Sequence, residues 1–441
     1  MPPVSVVGAG LAGCEAAWTL ANAGVPVSLY EMKPQQYTPA HHYQGFAELI
    51  CSNSLKAARI GSAAGMLKEE MRILGSLPME AAAHTDVSAG GALAVDRERF
   101  SDYITEKILA HPLIQVIHQR VDEIPQGKTI IASGPLTESH LAESIQRLCG
   151  AQYLSFFDAA APIVTFESLD QEKVFFAARY GRGEADYINC PMDKEQYERF
   201  YQALVTAESV ELHEFERKDF QVYEGCMPVE VMAKRGADTL RYGPLKPVGR
   251  TDPRTGHRPC AVVQLRSENR EGPLYNLVGF QTNLKWPEQK RVFSLIPGLE
   301  QAEFVRYGVM HRNTFLNSPK LLTPAFHLRA NPDIYFAGQM TGVEGYVESA
   351  ASGILAAKNL VRALQGKVPL LLPADCMLGA LSRYISDGSV ADFQPMGANM
   401  GILPPWPERV RDKTVRYEKI AQRGLDSLRA YLQMVNETAT N

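Results

Sequence analysis

Residues 4–31 read VSVVGAGLAGCEAAWTLANAGVPVSLYE, and this stretch decides the fold. The β-branched run at its start predicts a strand, a glycine-rich turn follows at Gly8–Gly13, and a small-residue helix then extends to Gly24. A second predicted strand ends in Glu31, 18 residues beyond Gly13. The dinucleotide-binding fingerprint consists of a strand, a glycine turn, a helix, a second strand and a terminal acid, in this order.

Each glycine of this fingerprint has its own physical task. Gly8 makes the tight turn, Gly10 lets backbone amides approach a pyrophosphate, and Gly13 lets the helix pack closely. Glu31 is expected to accept a hydrogen bond from a ribose hydroxyl. We therefore predict an α/β fold with a Rossmann-like domain. Its cofactor contacts are predicted to be Gly8, Ala9, Gly10, Leu11, Ala12, Gly13 and Glu31.

Two distant segments predict further parts of the same cofactor site. Residues 130–135, IIASGP, read as a strand that breaks at a small-residue turn, and residues 334–346, IYFAGQMTGVEGY, read as a strand followed by a glycine-lined helix start. An N-terminal Rossmann half completed by a C-terminal segment resembles the glutathione-reductase-type flavoproteins, which implies FAD as the cofactor. That family commonly has Asp where this chain has Gln339. The candidate contacts are Gly134, Gly338, Gln339, Gly345 and Tyr346.

The middle of the chain is expected to be an insertion into this flavin fold. It alternates strand-like runs such as CAVVQL and LYNLVGF with a charged helical piece, MDKEQYERFYQALVTAES, which predicts an α+β substrate domain. We expect a first FAD-binding part over residues 1–153, the insertion over 154–320 and a second FAD-binding part over 321–441. A final helix is predicted from about Arg409 to Val435, after the proline-rich segment ILPPWPE.

Composition excludes several classes of protein. Of the 441 residues, 45% are apolar and 21% are charged, which is typical of folded globular proteins and argues against disordered and collagenous chains. No apolar run reaches the roughly 18 residues of a membrane span, and the chain opens on a strand-like run, so we expect a cytoplasmic protein. Seven scattered cysteines without a CxxC pair predict neither structural disulfides nor a metal site.

Net charge does not indicate a nucleic-acid partner, but the local distribution of charge does. The formal charge is −4. Between Lys234 and Arg270, however, nine basic residues face three acids, and the stretch from Phe304 to Pro332 has four basic residues and no acid. A third basic cluster lies between Arg409 and Arg423. Such clusters are either solvated surface or contacts to phosphate groups.

Two cysteines lie in unusual contexts. Cys51 precedes the small polar residues Ser52, Asn53 and Ser54, which could form a turn or a helix N-terminus whose amides lower a thiol pKa. Cys226 follows a glycine and precedes Met-Pro, as expected for an exposed loop. The alternative for either residue is a small, buried apolar side chain.

The chain resembles the bacterial folate- and FAD-dependent tRNA uracil-5 methyltransferases, which act on the T-loop uridine at position 54. The resemblance covers nearly the whole chain. It rests on the N-terminal fingerprint and on blocks that include FAELICSNSL, GGALAVDRERFS, YINCPM, GPLKPVG, LVGFQTNLKWPEQKR, YGVMHRNTFLNSP and GQMTGVEGYVESAASG. It implies 5,10-methylenetetrahydrofolate as carbon donor, FAD reduced by NADPH or NADH as reductant, and tRNA as partner.

The resemblance also implies roles for both cysteines. Uracil C5 is a poor nucleophile until a thiolate adds to C6, and Cys226 matches the family position of that nucleophile. Cys51 matches a second family thiol, which serves in acid–base chemistry or protects a flavin intermediate. We expect the T-loop base to be flipped into the flavin cleft, so that C6 becomes accessible.

Further contacts are assigned by the same comparison of matching blocks. Tyr346 is expected to stack on the flavin or the pterin, its alternative being an ordinary core tyrosine. Trp286 and His311 are candidates for contacts to folate or RNA. Four basic residues are candidates for phosphate contacts, with solvated surface as the alternative: Arg97, Lys246, Arg266 and Lys413.

Other functions remain as alternatives. A sister family of FAD proteins modifies the tRNA wobble uridine, but its chains are longer and carry a C-terminal helical extension. A non-catalytic tRNA-binding flavoprotein would bind tRNA tightly and leave it unmodified. A plain NAD(P)H-linked oxidoreductase would not need the contexts of Cys51 and Cys226.

Overall fold

The computed structural model describes residues 2–38, 40–137, 139–150, 153–159, 161–177, 187–210, 227–267, 274–308, 310–390 and 393–438. The strands are β1 (Val4–Val7), β2 (Val27–Glu31), β3 (Ser54–Ala57), β4 (Asp86–Val87), β5 (Ala92–Val95), β6 (Ile114–His118), β7 (Thr129–Ile131), β8 (Tyr153–Ala159), β9 (Ile163–Thr165), β10 (Phe175–Phe176), β11 (Tyr187–Met192), β12 (Ala261–Ser267), β13 (Leu274–Leu277), β14 (Phe304–Arg306), β15 (Met310–Leu316) and β16 (Ile334–Phe336). The α-helices are α1 (Leu11–Asn22), α2 (Ala63–Leu74), α3 (Leu77–His84), α4 (Arg97–Ala110), α5 (Ser139–Cys149), α6 (Lys194–Val205), α7 (Val229–Ala233), α8 (Thr239–Tyr242), α9 (Trp286–Phe293), α10 (Ser318–Leu321), α11 (Tyr346–Leu364), α12 (Met377–Tyr384) and α13 (Lys413–Thr438). Short 3₁₀ helices span Phe166–Ser168, Gln339–Thr341 and Met400–Ile402.

β1 is the central strand of a five-stranded parallel sheet with the order β16-β7-β1-β2-β6. All four residues of β1 are buried, as expected for a parallel strand covered by helices on both faces. β7 and β16 come from distant parts of the chain, yet Val6 pairs with Ile130 and Ile130 pairs with Tyr335. The predicted α/β fold with a Rossmann-like sheet is therefore confirmed, including the contribution of the C-terminal segment.

The helices that follow β1 and β16 pack against each other at close range. A Cβ atom at Gly353 of α11 would lie only 2.3 Å from the carbonyl oxygen of Ala12 in α1. The absence of a side chain at this position lets the two helix backbones meet. Leu11 and Tyr346, at the N-termini of these helices, border the same cavity.

The middle of the chain forms a second sheet with a separate core. Six antiparallel strands follow the order β10-β11-β12-β13-β9-β14. Side chains of α6 and α9, such as Phe200 and Phe293, are buried in the same cluster as Ile188, Val263 and Leu277 of the sheet. This is the predicted α+β insertion: the strand-like run CAVVQL covers most of β12, and LYNLVGF contains β13.

A two-stranded ribbon flanks the insertion in the sequence. β8 pairs antiparallel with β15, Tyr153 lying opposite Leu316 and Ala159 opposite Met310. The chain thus passes along this ribbon before and after the six-stranded sheet. The predicted limits at 153/154 and 320/321 stay predictions.

The C-terminal helix begins later and ends later than the sequence indicates. The prediction ran from about Arg409 to Val435, whereas α13 spans Lys413–Thr438. The later start has a local cause, because the Asp412 carboxylate accepts hydrogen bonds from the backbone N–H groups of Thr414 and Val415 and caps the helix there. Within the described ranges, no helix combines the length and apolar character needed to cross a bilayer.

Candidate active site

A cavity of about 690 Å³ opens where the parallel sheet meets the N-termini of α1 and α11. Such a volume is typical of a site for a cofactor or small molecule. The three chain segments that the sequence predicts for the cofactor site all line it. The predicted residues on its wall are Gly8, Ala9, Gly10, Leu11, Ala12, Glu31, Cys51, Gly134, Gly338, Gln339, Gly345 and Tyr346.

The glycine turn after β1 has the geometry that its fingerprint requires. Gly8 has φ +98°, and a Cβ atom there would lie 2.6 Å from the Ala132 carbonyl oxygen. A Cβ atom at Gly13, which does not line the cavity, would lie 1.7 Å from the Gly8 carbonyl oxygen. At Gly10, by contrast, a Cβ atom would meet nothing within 4 Å. The backbone at Gly10 is thus open to an approaching group, while Gly8 and Gly13 fix the turn.

Glu31 ends β2 beside this turn. One carboxylate oxygen accepts a hydrogen bond from the Ala9 N–H at 2.8 Å, and the other accepts from the Lys33 N–H at 2.9 Å. A carboxylate has about four acceptor sites, so these two bonds orient it and leave capacity for hydroxyl donors. The carboxylate therefore suits the predicted ribose contact.

Gln339 is paired with an acid that the sequence analysis missed. Its Nε2 donates to both carboxylate oxygens of Glu344, at 2.7 and 2.8 Å, and both residues line the cavity. The carboxylate that the flavoprotein family commonly has at position 339 is thus present five residues later. No sequence signal distinguished Glu344, because the pairing depends on the tight turn from Gly338 to Gly345.

Cys51 lies against the hydroxyl group of Tyr346. The Tyr346 oxygen accepts a hydrogen bond from the Cys51 N–H at 2.7 Å and lies 3.1 Å from the Cys51 Sγ. Burial, together with the neighbouring Cys51 thiol, raises the pKa of Tyr346 well above its ordinary value, so the hydroxyl keeps its proton. Since its oxygen already accepts from the backbone, that proton can be donated to the sulfur.

The segment that carries Cys51 is not a helix start. Residues 50–53 form a bend before β3, so the expected helix N-terminus is wrong. The physical reason is that Ser54–Ala57 pairs with β5 as a strand, Ser54 lying opposite Ala94. Extended backbone directly after Asn53 leaves no helical amides to face the thiol.

Three arginines from three different elements hold this bend. Arg97, at the start of α4, donates through Nη1 to the carbonyl oxygens of Leu49 at 2.7 Å and Ile50 at 2.9 Å. Arg306 of β14 also donates to the Ile50 carbonyl oxygen. The positive charges surround the backbone next to Cys51, and neither the contacts nor the role of Arg306 was predicted.

Arg266 is the third of these arginines and comes from the insertion. It is only 8% exposed, and it donates to Asn53 Oδ1 at 2.9 Å and to Ser52 Oγ at 2.5 Å. Arg97 and Arg266 were predicted as phosphate contacts. The structure places both guanidinium groups on the Cys51 bend, and neither residue lines the cavity.

The remaining predicted contacts are spread over the molecule. Trp286 is 60% exposed and stacks on Tyr307, with ring centroids 5.7 Å apart. Lys246 is half-buried beside Leu245, and Lys413 is exposed at the start of α13. Cys226 and the side chain of His311 lie outside the described residues. Within the described ranges, no group of three His, Cys, Asp or Glu residues is placed to hold a metal ion.

Comparison with known proteins agrees with this architecture. The family model described as glucose inhibited division protein A matches residues 3–368. A protein of Heliobacterium modesticaldum named methylenetetrahydrofolate–tRNA-(uracil-5-)-methyltransferase TrmFO is 59% identical over 97% of this chain and 98% of its own length. A protein of the same name from Brevibacillus brevis is 56% identical over 98% of both chains.

A solved structure supports the fold alone. GidA of Aquifex aeolicus superposes with a TM-score of 0.68 at 15% identity, covering 99% of this chain and 76% of that one. Because the match to the family model and the similarity to the two relatives extend over most of the chain, the chain belongs to the glucose inhibited division protein A family and, among its members, to the methylenetetrahydrofolate–tRNA-(uracil-5-)-methyltransferases.

Proposed function

We propose that this protein methylates C5 of the T-loop uridine at position 54 of tRNA. The carbon donor is 5,10-methylenetetrahydrofolate, and FAD reduced by NADPH or NADH is the reductant. The observation that carries the proposal is the thiol of Cys51, held 3.1 Å from the Tyr346 hydroxyl on the wall of a cavity built around a dinucleotide-binding turn. The names of the closely similar relatives point to the same reaction.

The residues of the cavity fit FAD. The open space at Gly10 and the N-terminus of α1 suit a pyrophosphate, and Glu31 suits the ribose. Gly134, Gly338, Gln339, Gly345 and Tyr346 border the remaining length of the cavity, with the ring of Tyr346 as the proposed stacking surface for the flavin or the pterin. When bound, FAD supplies the hydride chemistry that turns a transferred methylene into a methyl group.

The chain itself supplies nucleophilic and acid–base catalysis. The Cys226 thiolate adds to uracil C6, and the resulting enolate carries the negative charge that makes C5 attack the methylene carbon. C5 then loses its proton to a base as the methylene carbon separates from its folate nitrogen, and the bond between sulfur and C6 breaks once the methyl group is in place. Cys51 is placed at the cofactor wall to exchange that proton or to shield the cofactor.

The proposed contacts to folate and RNA divide into two groups by their location. Arg97 and Arg266 donate hydrogen bonds to the Cys51 bend. A phosphate group that binds either arginine would therefore lie next to this bend. Trp286 and Lys413 expose a ring and an ammonium group to solvent, as RNA contacts require. Lys246 and His311 remain candidates on the strength of the family resemblance.

We place this function in the cytoplasm. The six cysteines that the structure describes are all free thiols. Unpaired thiols are typical of a reducing compartment.

Replacing the proposed nucleophile tests the mechanism. We expect Cys226→Ala to bind FAD as the wild type does and to form no 5-methyluridine, because no thiolate remains to activate C5. Cys260→Ala is the matched control, since Cys260 is a half-buried thiol of the same insertion with no proposed role. Wild-type methylation by Cys226→Ala would disprove the assignment of the nucleophile.

A further inference from the structure

The start of α13 and the segment before it carry a cluster of cations on aromatic rings. Lys413 Nζ lies 5.3 Å from the ring centre of Tyr417, and the Arg416 guanidinium lies 5.6 Å from the same ring. Lys419 Nζ lies 5.2 Å from the ring centre of Trp406. Contacts between cations and aromatic faces hold flexible basic side chains together on one side of the helix. We call this surface the α13 basic face, formed by Trp406, Arg409, Arg411, Lys413, Arg416, Tyr417 and Lys419.

Most of the acids near this face are engaged elsewhere. Asp412 caps α13 through its hydrogen bonds to Thr414 and Val415. Glu418 packs against the other side, where a Cβ atom at Gly61 would lie 2.8 Å from its Cγ. Among the residues that the structure describes, no ion pair neutralises the five basic side chains of the α13 basic face. The five basic side chains of the face outnumber the three acids of the same stretch, Glu408, Asp412 and Glu418, so the face keeps a net positive charge.

The chain connects the mouth of the cavity to α13 through a short segment. Lys56 lines the cavity, has a side chain that is 43% exposed, and lies 2.6 Å from the buried Glu348 carboxylate. From Lys56 the chain runs through the exposed Arg59 to Gly61, which contacts Glu418 of α13. The Lys56–Gly61 segment thus joins the cavity wall to α13, on the side of the helix that carries Glu418.

Lys56 also has an unusual backbone conformation. Its φ is +65°, in the left-handed region that residues other than glycine seldom adopt. Ser54 and Ala57 still pair with β5, with a register shift between them at this point. At this distorted position the Lys56 ammonium group lies 2.6 Å from the Glu348 carboxylate and 3.2 Å from the Glu344 carbonyl oxygen.

We propose that the α13 basic face and the Lys56–Gly61 segment bind the phosphate backbone of tRNA while the target base occupies the cavity. This rests on the proposed function, because it identifies how the same substrate docks. Lysine and arginine side chains held on neighbouring turns of α13 bind successive phosphates.

The test measures tRNA binding against salt concentration for two double variants of the FAD-bound protein. Lys413→Gln/Lys419→Gln removes two cations of the α13 basic face. Lys367→Gln/Arg429→Gln removes two exposed cations at the other end, since Lys367 follows α11 and Arg429 lies on α13 about 24 Å from Lys413 at 1.5 Å per residue. Both variants change the net charge equally.

We expect the first variant to reduce the slope of log K against log salt by about 1.4–1.8 and to raise the dissociation constant at low salt at least about tenfold. The control should stay within about twofold of the wild type. Equal slopes and affinities in both variants would overturn the docking surface while leaving the proposed function intact. A wild-type protein that neither binds nor methylates tRNA would overturn the proposed function, and the docking surface with it.

Discussion

At the scale of single residues, the glycine turn separates positions that shape the fold from one that admits the cofactor. Gly13 is in direct contact with the Gly8 carbonyl, whereas Gly10 faces open space on the cavity wall. The GxGxxG pattern predicts all three glycines but does not separate their contributions to stability. In the structure the three glycines differ in how close a Cβ atom would lie to its nearest neighbouring atom.

The substitutions Gly13→Ala and Gly10→Ala should therefore act differently. In Gly13→Ala the new methyl group would lie 1.7 Å from a backbone oxygen, so we expect a loss of about 3 kcal/mol or more in the free energy of unfolding of the apoprotein. Gly10 has φ −72°, which alanine adopts readily, so Gly10→Ala should fold normally and bind FAD more weakly. Urea unfolding and FAD titration of both apoproteins measure the two effects. Equal destabilisation by the two changes would contradict this account of the turn.

At the scale of elements, the Cys51 bend is held by residues from both domains. Arg97 comes from α4 of the flavin fold, and Arg266 and Arg306 come from strands of the insertion. The sequence identified Cys51, Arg97 and Arg266 separately but contained no sign that they meet. Their meeting depends on how the six-stranded sheet packs on the first domain, which no local pattern encodes.

Removing the Arg97 guanidinium should loosen this bend. In Arg97→Gln we expect the Cys51 amide, which donates to Tyr346, to exchange its hydrogen about 10- to 100-fold faster, because charge-assisted bonds to two carbonyl groups are lost. Methylation should slow while FAD stays bound. Arg99→Gln is the control, because Arg99 lies two residues along the same helix and its side chain is exposed. The same exchange rate at Cys51 in both variants would disprove the bracing role.

At the scale of the whole molecule, the sequence predicts the fold far better than the site. The parallel sheet, the insertion and the C-terminal helix all follow from strand and helix periodicity together with the fingerprint. Glu344, Lys56 and Arg306 escaped because each is defined by a side-chain contact that only the folded chain makes: Glu344 to Gln339 across a tight turn, Lys56 to Glu348, and Arg306 to the Ile50 carbonyl. Residue type and spacing indicate chemistry, but pairing across domains requires the folded chain.

The interior also links stability to pH. Glu70 is fully buried and accepts hydrogen bonds from the N–H groups of Met377 and Leu378 at the start of α12. Burial raises the pKa of Glu70 from 4.5 to about 8, in spite of these bonds. Between these two values the folded state retains a proton that the unfolded state has released.

The free energy of unfolding should therefore fall as pH rises from about 4.5 to about 8, by up to about 1.4 kcal/mol per pH unit for this group. Glu70→Gln should remove that part of the slope. Glu69→Gln, at the more exposed neighbouring position, should leave it in place. Urea unfolding at a series of pH values measures this dependence. If the free energy of unfolding of Glu70→Gln changes with pH as steeply as that of the wild type, the Glu70 carboxyl does not cause the pH dependence.

The central claim is tested most directly by nucleoside mass spectrometry. Unmodified tRNA transcript is incubated with the purified protein, 5,10-methylenetetrahydrofolate and NADPH or NADH, alongside a transcript in which the T-loop uridine is replaced by cytidine. We predict one added methyl group on uracil in the first transcript and none in the second. A yellow protein that binds tRNA but adds no methyl group to either would contradict the methyltransferase assignment, and would favour a wobble-uridine enzyme or a non-catalytic tRNA-binding flavoprotein.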